Sequence, residues 1–342
     1  MPATHDPGSD RRGAEALDAV GIGSMVVDRV HRVGRIVAAD EKGLLRDTGP
    51  EGPVRVAVGG VVLNHLGWAA LLGLRVGIFG RQGDDEGGRF LRAAMDRAGI
   101  VRDIRVVDEP SSLAEIFVDD AGARAIYMAR GATGTTSAEH VRSAHAGFVG
   151  RAATLTTEVS QLPLAAALAA QGLARDAGAG CWVDLDVPTR DALAELGSQA
   201  ELDALLSGAT LLKPSKAALP GWVEDAGGDA LALARAVRRR FGNEVVVVTA
   251  GEAGCAICSE ASELSVPPPA IRPVDTTGAG DAFLGGLLVA RSRGLDFEAA
   301  ARLANACGAA CCEQLGAFPE DAERARARVA ELYGSPLPVT PE

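Results

Sequence analysis

A chain of 342 residues with a formal net charge of −11 lacks the concentrated basic surface that displaces counterions from nucleic acid, which argues against such a partner. Hydrophobic residues make up 47% and aromatics only 4%, so the core must be built from Ala, Val and Leu, as suits helices packed on a parallel sheet. No apolar run is long enough to span a bilayer, and the polar stretch Met1 to Arg12 has no signal-peptide core, which predicts a cytoplasmic protein without a membrane partner.

In chain order, residues 1–16 are rich in Pro, Gly, Asp and Arg without periodicity and predict a disordered leader. Ala19 to Asp28 reads as one buried strand ending in a polar residue. Gly21 and Gly23 form a GxG, but Val26 stands where a dinucleotide fingerprint needs its third glycine. From Arg29 to Val58, short alternating stretches with turn residues at Asp47 to Pro53 predict a small projecting sheet. Gly59 and Gly60 then open a helix bearing Asn64; paired glycines admit a ligand close to the backbone, and the amide can donate and accept hydrogen bonds. Ser112 to Ala129 reads as a hairpin that completes the small sheet.

Between Ala152 and Val248, strands alternate with Ala/Leu-rich helices, the pattern of βαβ units. The predicted strands are Ala153 to Thr157, Cys181 to Leu185, Ala209 to Lys213 and Glu244 to Thr249. Ligands gather at the carboxyl ends of such strands, here Thr157-Glu158, Asp184-Leu185-Asp186, Lys213-Pro214-Ser215 and Thr249-Ala250-Gly251. Lys213 is one of only three lysines, and a compact ammonium at a strand end suits a phosphate. Cys255 and Cys258 have CxxC spacing but no second pair to complete a zinc site. The six scattered cysteines instead suit small core residues in a reducing compartment.

The most informative stretch is Asp275-Thr276-Thr277-Gly278-Ala279-Gly280-Asp281-Ala282-Phe283, followed by apolar residues to Ala290. Glycines at 278 and 280 let backbone N–H groups turn inward, and a helix starting there adds its positive end, which makes an anion hole. A carboxylate at its rim, Asp281, has a use if it takes a proton from an attacking hydroxyl. No Gly-x-x-x-x-Gly-Lys-Ser/Thr is present, which argues against a P-loop enzyme. Asp296 to Gln314 predicts a long apolar-faced helix, Glu320 to Tyr333 a last charged helix, and 335–342 a Pro-rich tail.

From Asp275 through Leu288 the chain resembles the second signature of the ribokinase-like (PfkB) carbohydrate kinase family, and weaker matches run from about Ala19 to Ala317. The resemblance implies a three-layer α/β/α fold over residues 17–334, with a mostly parallel central sheet and a small β-sheet lid drawn from 29–58 and 112–129. It implies that Asp281 is the catalytic base and that Gly278, Ala279 and Gly280 form the anion hole. ATP would meet Lys213, Ser215, Thr249, Gly251, Gly254 and Asn305. The acceptor would meet Asp28, Gly59, Gly60, Asn64 and Asp186. Backbone oxygens of Asp275 and Thr277, near the 315–317 loop, would hold a monovalent cation such as K⁺. For Asp28 a solvated turn aspartate is the alternative, and for Asp184 and Asp186, which fall near substrate and magnesium-bound phosphates in relatives, structural capping is.

Two departures stand out. Ser215, Lys216, Ala217 and Ala218 replace the family's Asn-x-x-Glu, which organises magnesium, and Val61-Val62-Leu63 with His65-Leu66 depart from the first signature. The activity implied is transfer of the γ-phosphoryl group of ATP, with Mg²⁺, to a hydroxyl of a sugar or polyol. A nucleoside kinase, with Val61, Val62, Leu63 and Trp68 around a base, is one alternative. A sensor that binds a sugar or nucleotide without turnover is another, and a homodimer is left open.

Overall fold

Continuous apolar, β-branched runs such as Val245-Val246-Val247-Val248 are stable only where helices cover both faces of a sheet. The computed structural model, which describes residues 15–46, 54–120, 123–220, 222–223 and 228–338, has that arrangement. Its strands are β1 (Leu17–Gly21), β2 (Val26–Arg32), β3 (Val54–Gly59), β4 (Val76–Gly83), β5 (Val101–Val107), β6 (Ser112–Val118), β7 (Arg124–Ala129), β8 (Ala152–Val159), β9 (Gly180–Leu185), β10 (Leu211–Pro214), β11 (Val245–Thr249), β12 (Cys255–Ser259) and β13 (Glu263–Val266). Its helices are α1 (Val61–Leu71), α2 (Glu86–Arg97), α3 (Gly131–Gly134), α4 (Ala138–Val149), α5 (Leu164–Asp176), α6 (Thr189–Glu195), α7 (Gln199–Ser207), α8 (Ala230–Phe241), α9 (Ala279–Ser292), α10 (Phe297–Cys312) and α11 (Ala322–Tyr333).

Nine strands form the main sheet in the order β13-β12-β11-β10-β9-β8-β1-β4-β5. Pairing is parallel from β5 to β11 and antiparallel from β11 to β13. Along β11, Val247 joins a core with Trp68, Leu284, Leu303 and Val329 of α1, α9, α10 and α11. Val246 and Val248 join the opposite core with Val141, Ala167, Leu205 and Leu233 of α4, α5, α7 and α8. The period of two thus divides one strand between two helical layers. Because β1 lies between β4 and β8, the chain leaves it to one side first and the other later, and a crevice opens at the carboxyl ends around that switch.

A second sheet has the order β3-β2-β6-β7, with β2 and β6 parallel and the other pairs antiparallel. Val26, Ala114 and Ile116 make its small core. The single strand expected from Ala19 to Asp28 is therefore two. β1 stops at Gly21, and a Cβ on either Gly21 or Gly23 would run into Val62 of α1, so the chain passes closely over that helix and re-emerges as β2. Asp28 consequently belongs to the smaller sheet.

The predicted βαβ strands are present, with β8 extended to Val159 so that Glu158 lies inside it, and β10 starting at Leu211. Asp296 caps α10, its side chain accepting from the N–H of Ala299 at 2.8 Å. The turn expected at 47–53, the hairpin tip at 121–122, residues 1–14 of the expected leader and 339–342 of the expected tail lie outside the described residues. No helix among the described residues is long and apolar enough to cross a membrane.

Candidate active site

The loop before α9 is braced from behind. Asp275 accepts from the Thr277 N–H at 2.9 Å with one carboxylate oxygen and from the Gly316 N–H at 3.1 Å with the other. The thiol of Cys311 donates to the Thr277 carbonyl at 3.4 Å. Gly278 has φ 75° and packs against Ala317, where a Cβ has no room. A left-handed residue in so tight a place has to be glycine. A Cβ on Gly280 would lie 2.9 Å from Nζ of Lys213. The first-turn N–H groups of α9 have no preceding turn to bond, so they face the cleft as donors. Of the three expected in the anion hole, Ala279 already makes a long bond, its N–H to the Thr276 carbonyl at 3.4 Å.

Asp281 sits in the first turn of α9, 8% exposed, and Asn64 donates its side-chain N–H to it at 2.8 Å. Burial pushes its carboxyl up to about 7, a shift that His65 opposes. A carboxylate with a pKa near neutrality is a competent general base. Asn64, expected on the substrate, therefore touches the base as well; its other amide atom, Oδ1, is buried without a partner.

Behind Asp281 lies a buried charge network. Lys213 donates from Nζ to both oxygens of Asp184, at 3.0 and 2.8 Å, and both side chains are almost fully buried. Burial opposes the charge on each. Lys213 nonetheless holds the Asp184 carboxyl below the usual range, and Asp184, Asp186 and Asp281 hold the ammonium above its own. His65 Nε2 lies 3.2 Å from Asp184 Oδ2, and Nδ1 lies 3.1 Å from the Thr156 hydroxyl. His65, Asp184 and Asp281 each bring a ligand atom within 4.8 Å of the others, but the ammonium on Asp184 makes this an ion network rather than a metal centre. Asp184, expected near magnesium-bound phosphates, and Lys213, expected on ATP, are thus paired with each other, and Lys213 still lines the cleft. Of the two aspartates, Asp186 is the exposed one on the cleft wall.

At the acceptor end, Asp28 is 7% exposed, and burial, with help from Asp275, pushes its carboxyl up to about 7. Gly59 serves Asp28 itself, because a Cβ at 59 would occupy the carboxylate's place; Gly60, at φ 103°, lines the cleft. Two residues were named from the sequence without a role being given to either. Glu158 accepts from the N–H of Ser24 at 2.7 Å and from its hydroxyl at 2.8 Å, and the same hydroxyl accepts from the N–H of Val61 at 2.8 Å. Burial raises Glu158 to about 7 against those bonds. Together they fix the N-terminus of α1, and with it Asn64. His65, named there only as a departure from the first signature, is the second.

The cleft of about 1410 Å³ continues past Ser215, Thr249, Gly251, Gly254 and Asn305 to Pro267–Pro269. Gly251 and Gly254 have φ 56° and 82°. The Ser215 hydroxyl accepts from the Ala218 N–H at 3.2 Å, and Ala218 is buried. Asn305 donates to the carbonyls of Val266 at 3.0 Å and Pro267 at 3.3 Å, so its amide nitrogen holds the proline loop. Val62, Leu63 and Trp68, candidates for surrounding a base, are core residues at 0% exposure, and the Trp68 indole donates to the Ala317 carbonyl.

Known proteins resemble this chain in sequence and in fold. An uncharacterized sugar kinase of Archaeoglobus fulgidus is 30% identical over 251 residues, 72% of this chain and 94% of that one. The structure of Arabidopsis thaliana ribokinase complexed with ribose and ATP superposes with a TM-score of 0.73 at 22% identity, covering 92% of this chain and 99% of the other. A Burkholderia thailandensis nucleoside kinase in complex with inosine gives 0.74 at 23%, covering 92% and 97%. The fold is thus the ribokinase-like one expected. The model of the pfkB family carbohydrate kinases matches residues 17–322, so the chain belongs to that family.

Proposed function

We propose that the protein transfers the γ-phosphoryl group of ATP to a hydroxyl of a sugar or polyol. The observation that carries this reading is the placement of Asp281, buried and near neutral in pKa, one turn from the N–H groups that follow Gly278. Asp281 takes the hydroxyl proton as the acceptor oxygen attacks. The amides of Gly278 and Gly280 face the phosphoryl oxygens, and Asp28, Asn64 and Gly60 orient the acceptor. Magnesium supplies charge neutralisation on the phosphates when bound, and Asp186 is the carboxylate placed to meet it or its waters. The smaller sheet, over the acceptor, keeps out water that would compete as phosphoryl acceptor.

The finer parts of the reading rest on particular contacts. A monovalent cation at the Asp275 and Thr277 oxygens is supported by the approach of Gly316 to Asp275, and replacing K⁺ by Na⁺ in the assay tests it. Six free cysteines, five of them buried, support action in the cytoplasm. Light scattering tests the homodimer. A nucleoside acceptor is favoured by one feature, the apolar Ile116, Ile126 and Met128 that the smaller sheet presents to the cleft. Coupled ADP release across pentoses, hexoses, sugar acids, polyols and nucleosides decides among acceptors, and no release with any of them would leave the sensor reading.

A further inference from the structure

Away from the cleft, titratable side chains gather where α4 packs on the edge of the main sheet. Asp103 of β5 lies across from Phe79 of β4, and the Phe79 ring packs against His145 of α4 with centroids 5.2 Å apart. His145 is 2% exposed, and its Nδ1 lies 2.8 Å from Oδ2 of Asp103. A carboxylate only accepts, so Nδ1 carries the proton and the neutral ring keeps a lone pair on Nε2. That atom meets Nε2 of His140 at 3.2 Å. The two histidines are five positions apart on one helix, a spacing that does not by itself bring side chains together. Their rings stand nearly perpendicular, at 89°, with centroids 4.9 Å apart, closer than a straight N–H···N bond would hold them.

His140 is half-buried, and burial, with the charges of His145, Arg81 and Arg105, holds its imidazole below the ordinary value, so it is a neutral ring at pH 7. Two imidazole nitrogens 3.2 Å apart fit one tetrahedral ion, because metal–nitrogen lengths of about 2.0–2.1 Å then give an angle of roughly 100° at the metal. Asp103 stands behind His145 as the carboxylate that fixes the tautomer and orientation of a ligating imidazole. Arg81 and Arg105 oppose a cation there. Arg81, however, is paired with Glu109 at 3.3 Å, and Asp103 and Glu109 together balance the two arginines.

We propose that the Nε2 atoms of His140 and His145 bind a divalent ion of the zinc class (Zn²⁺, Ni²⁺ or Cu²⁺), with Asp103 as the orienting partner and water completing the shell on the half-exposed side of His140. Imidazole suits these ions, whereas Mg²⁺ takes oxygen ligands. None of the three residues lines the cleft, so the site differs from the phosphotransfer centre in metal as well as in place. An ion there strengthens the hold of His145 on Asp103, which joins α4 to β5, the edge strand of the main sheet.

The test is calorimetric titration of the full chain with ZnCl₂, in buffer holding excess Mg²⁺ and no nucleotide, for wild type, His140→Ala and Asp103→Asn. The hydroxyl of Ser137 caps α4 through the backbone N–H of His140 at 3.1 Å, so His140→Ala keeps the cap. The expected result is one Zn²⁺ bound per wild-type chain, with affinity lowered by about 10- to 100-fold in Asp103→Asn and by at least as much in His140→Ala. The cysteines and the His65, Asp184 and Asp281 group are intact in both variants, so equal zinc binding by all three proteins would place the ion elsewhere and overturn the proposal. Absence of zinc binding in wild type would overturn it too and leave the two rings as a plain hydrogen-bonded pair. The absorption spectrum of the Co²⁺-loaded wild type gives a readout that needs no variant. Weak visible bands alone are expected of nitrogen and water ligands, and a strong near-ultraviolet charge-transfer band would assign the ion to a thiolate and overturn the proposal.

Discussion

The side-chain amide of Asn64 donates to Asp281 across 217 positions of sequence, joining the first turn of α1 to the first turn of α9 at 2.8 Å. One bond therefore links the residue expected on the acceptor to the residue expected to deprotonate it.

Asp281→Asn is expected to lower kcat by about 10² to 10⁴ while nucleotide affinity stays within a few-fold, because the shape remains and the base is gone. In wild type the carboxyl pushed to about 7 must be ionised to act, so kcat/KM should fall as pH drops below neutrality. Asn64→Leu removes a bond that favours the ionised form and should move that acidic limb to higher pH. A pH–rate profile checks both; a limb that stays put in Asn64→Leu would detach Asn64 from the ionisation of the base.

Burial pushes the carboxyls of Asp28, Glu158 and Asp281 each up to about 7, well above the ordinary carboxylate range. Between about pH 4 and 7 the folded state then binds more protons than the unfolded one, so these groups make stability fall as pH rises through that window. Asp28→Asn should stabilise the protein at pH 8 by on the order of 2 kcal/mol and by little at pH 5, while raising KM for the acceptor. Urea unfolding at the two pH values is the measurement, and equal shifts at both would contradict the burial argument.

Lys213→Met should destabilise the chain by about 3–5 kcal/mol, because it leaves Asp184 charged and buried with only His65 beside it. Adding Asp184→Leu should recover part of that loss. If Lys213→Met instead melts like wild type and loses only nucleotide affinity, the ammonium serves the phosphates after all.

With Asp184 paired to Lys213 and Ala218 buried, Asp186 is the carboxylate proposed above to meet magnesium. Asp186→Ala is expected to raise the magnesium concentration needed for half-maximal turnover several-fold at fixed total ATP, with the same plateau once saturated. Superimposable magnesium curves for the variant and wild type would exclude it.

The layer architecture and the glycine-rich start of the helix that carries Asp281 were legible in the sequence because both depend on local pattern: apolar runs of strand length, and a glycine where φ turns positive. What could not be read depends on register. Lys213 lies directly across from Asp184 on neighbouring parallel strands, a pairing no spacing reveals, so the ion pair between them could not be read. Asp28 was misplaced because the run Ala19–Asp28 is apolar enough for one strand, and only the packing of Gly21 and Gly23 against Val62 shows why it divides.

The contact of Gly278 with Ala317 has a bearing on how the protein can vary over generations. Ala317 is 1% exposed, and its carbonyl takes both the Trp68 indole and the Cys311 thiol, so neither side of the contact has slack. Any side chain larger than a methyl at 317 would press on Gly278, which lines the same cleft as Ala317. In a randomised library, position 317 should therefore tolerate little beyond alanine and glycine, and its hereditary freedom would be nearly as narrow as that of the glycine it supports.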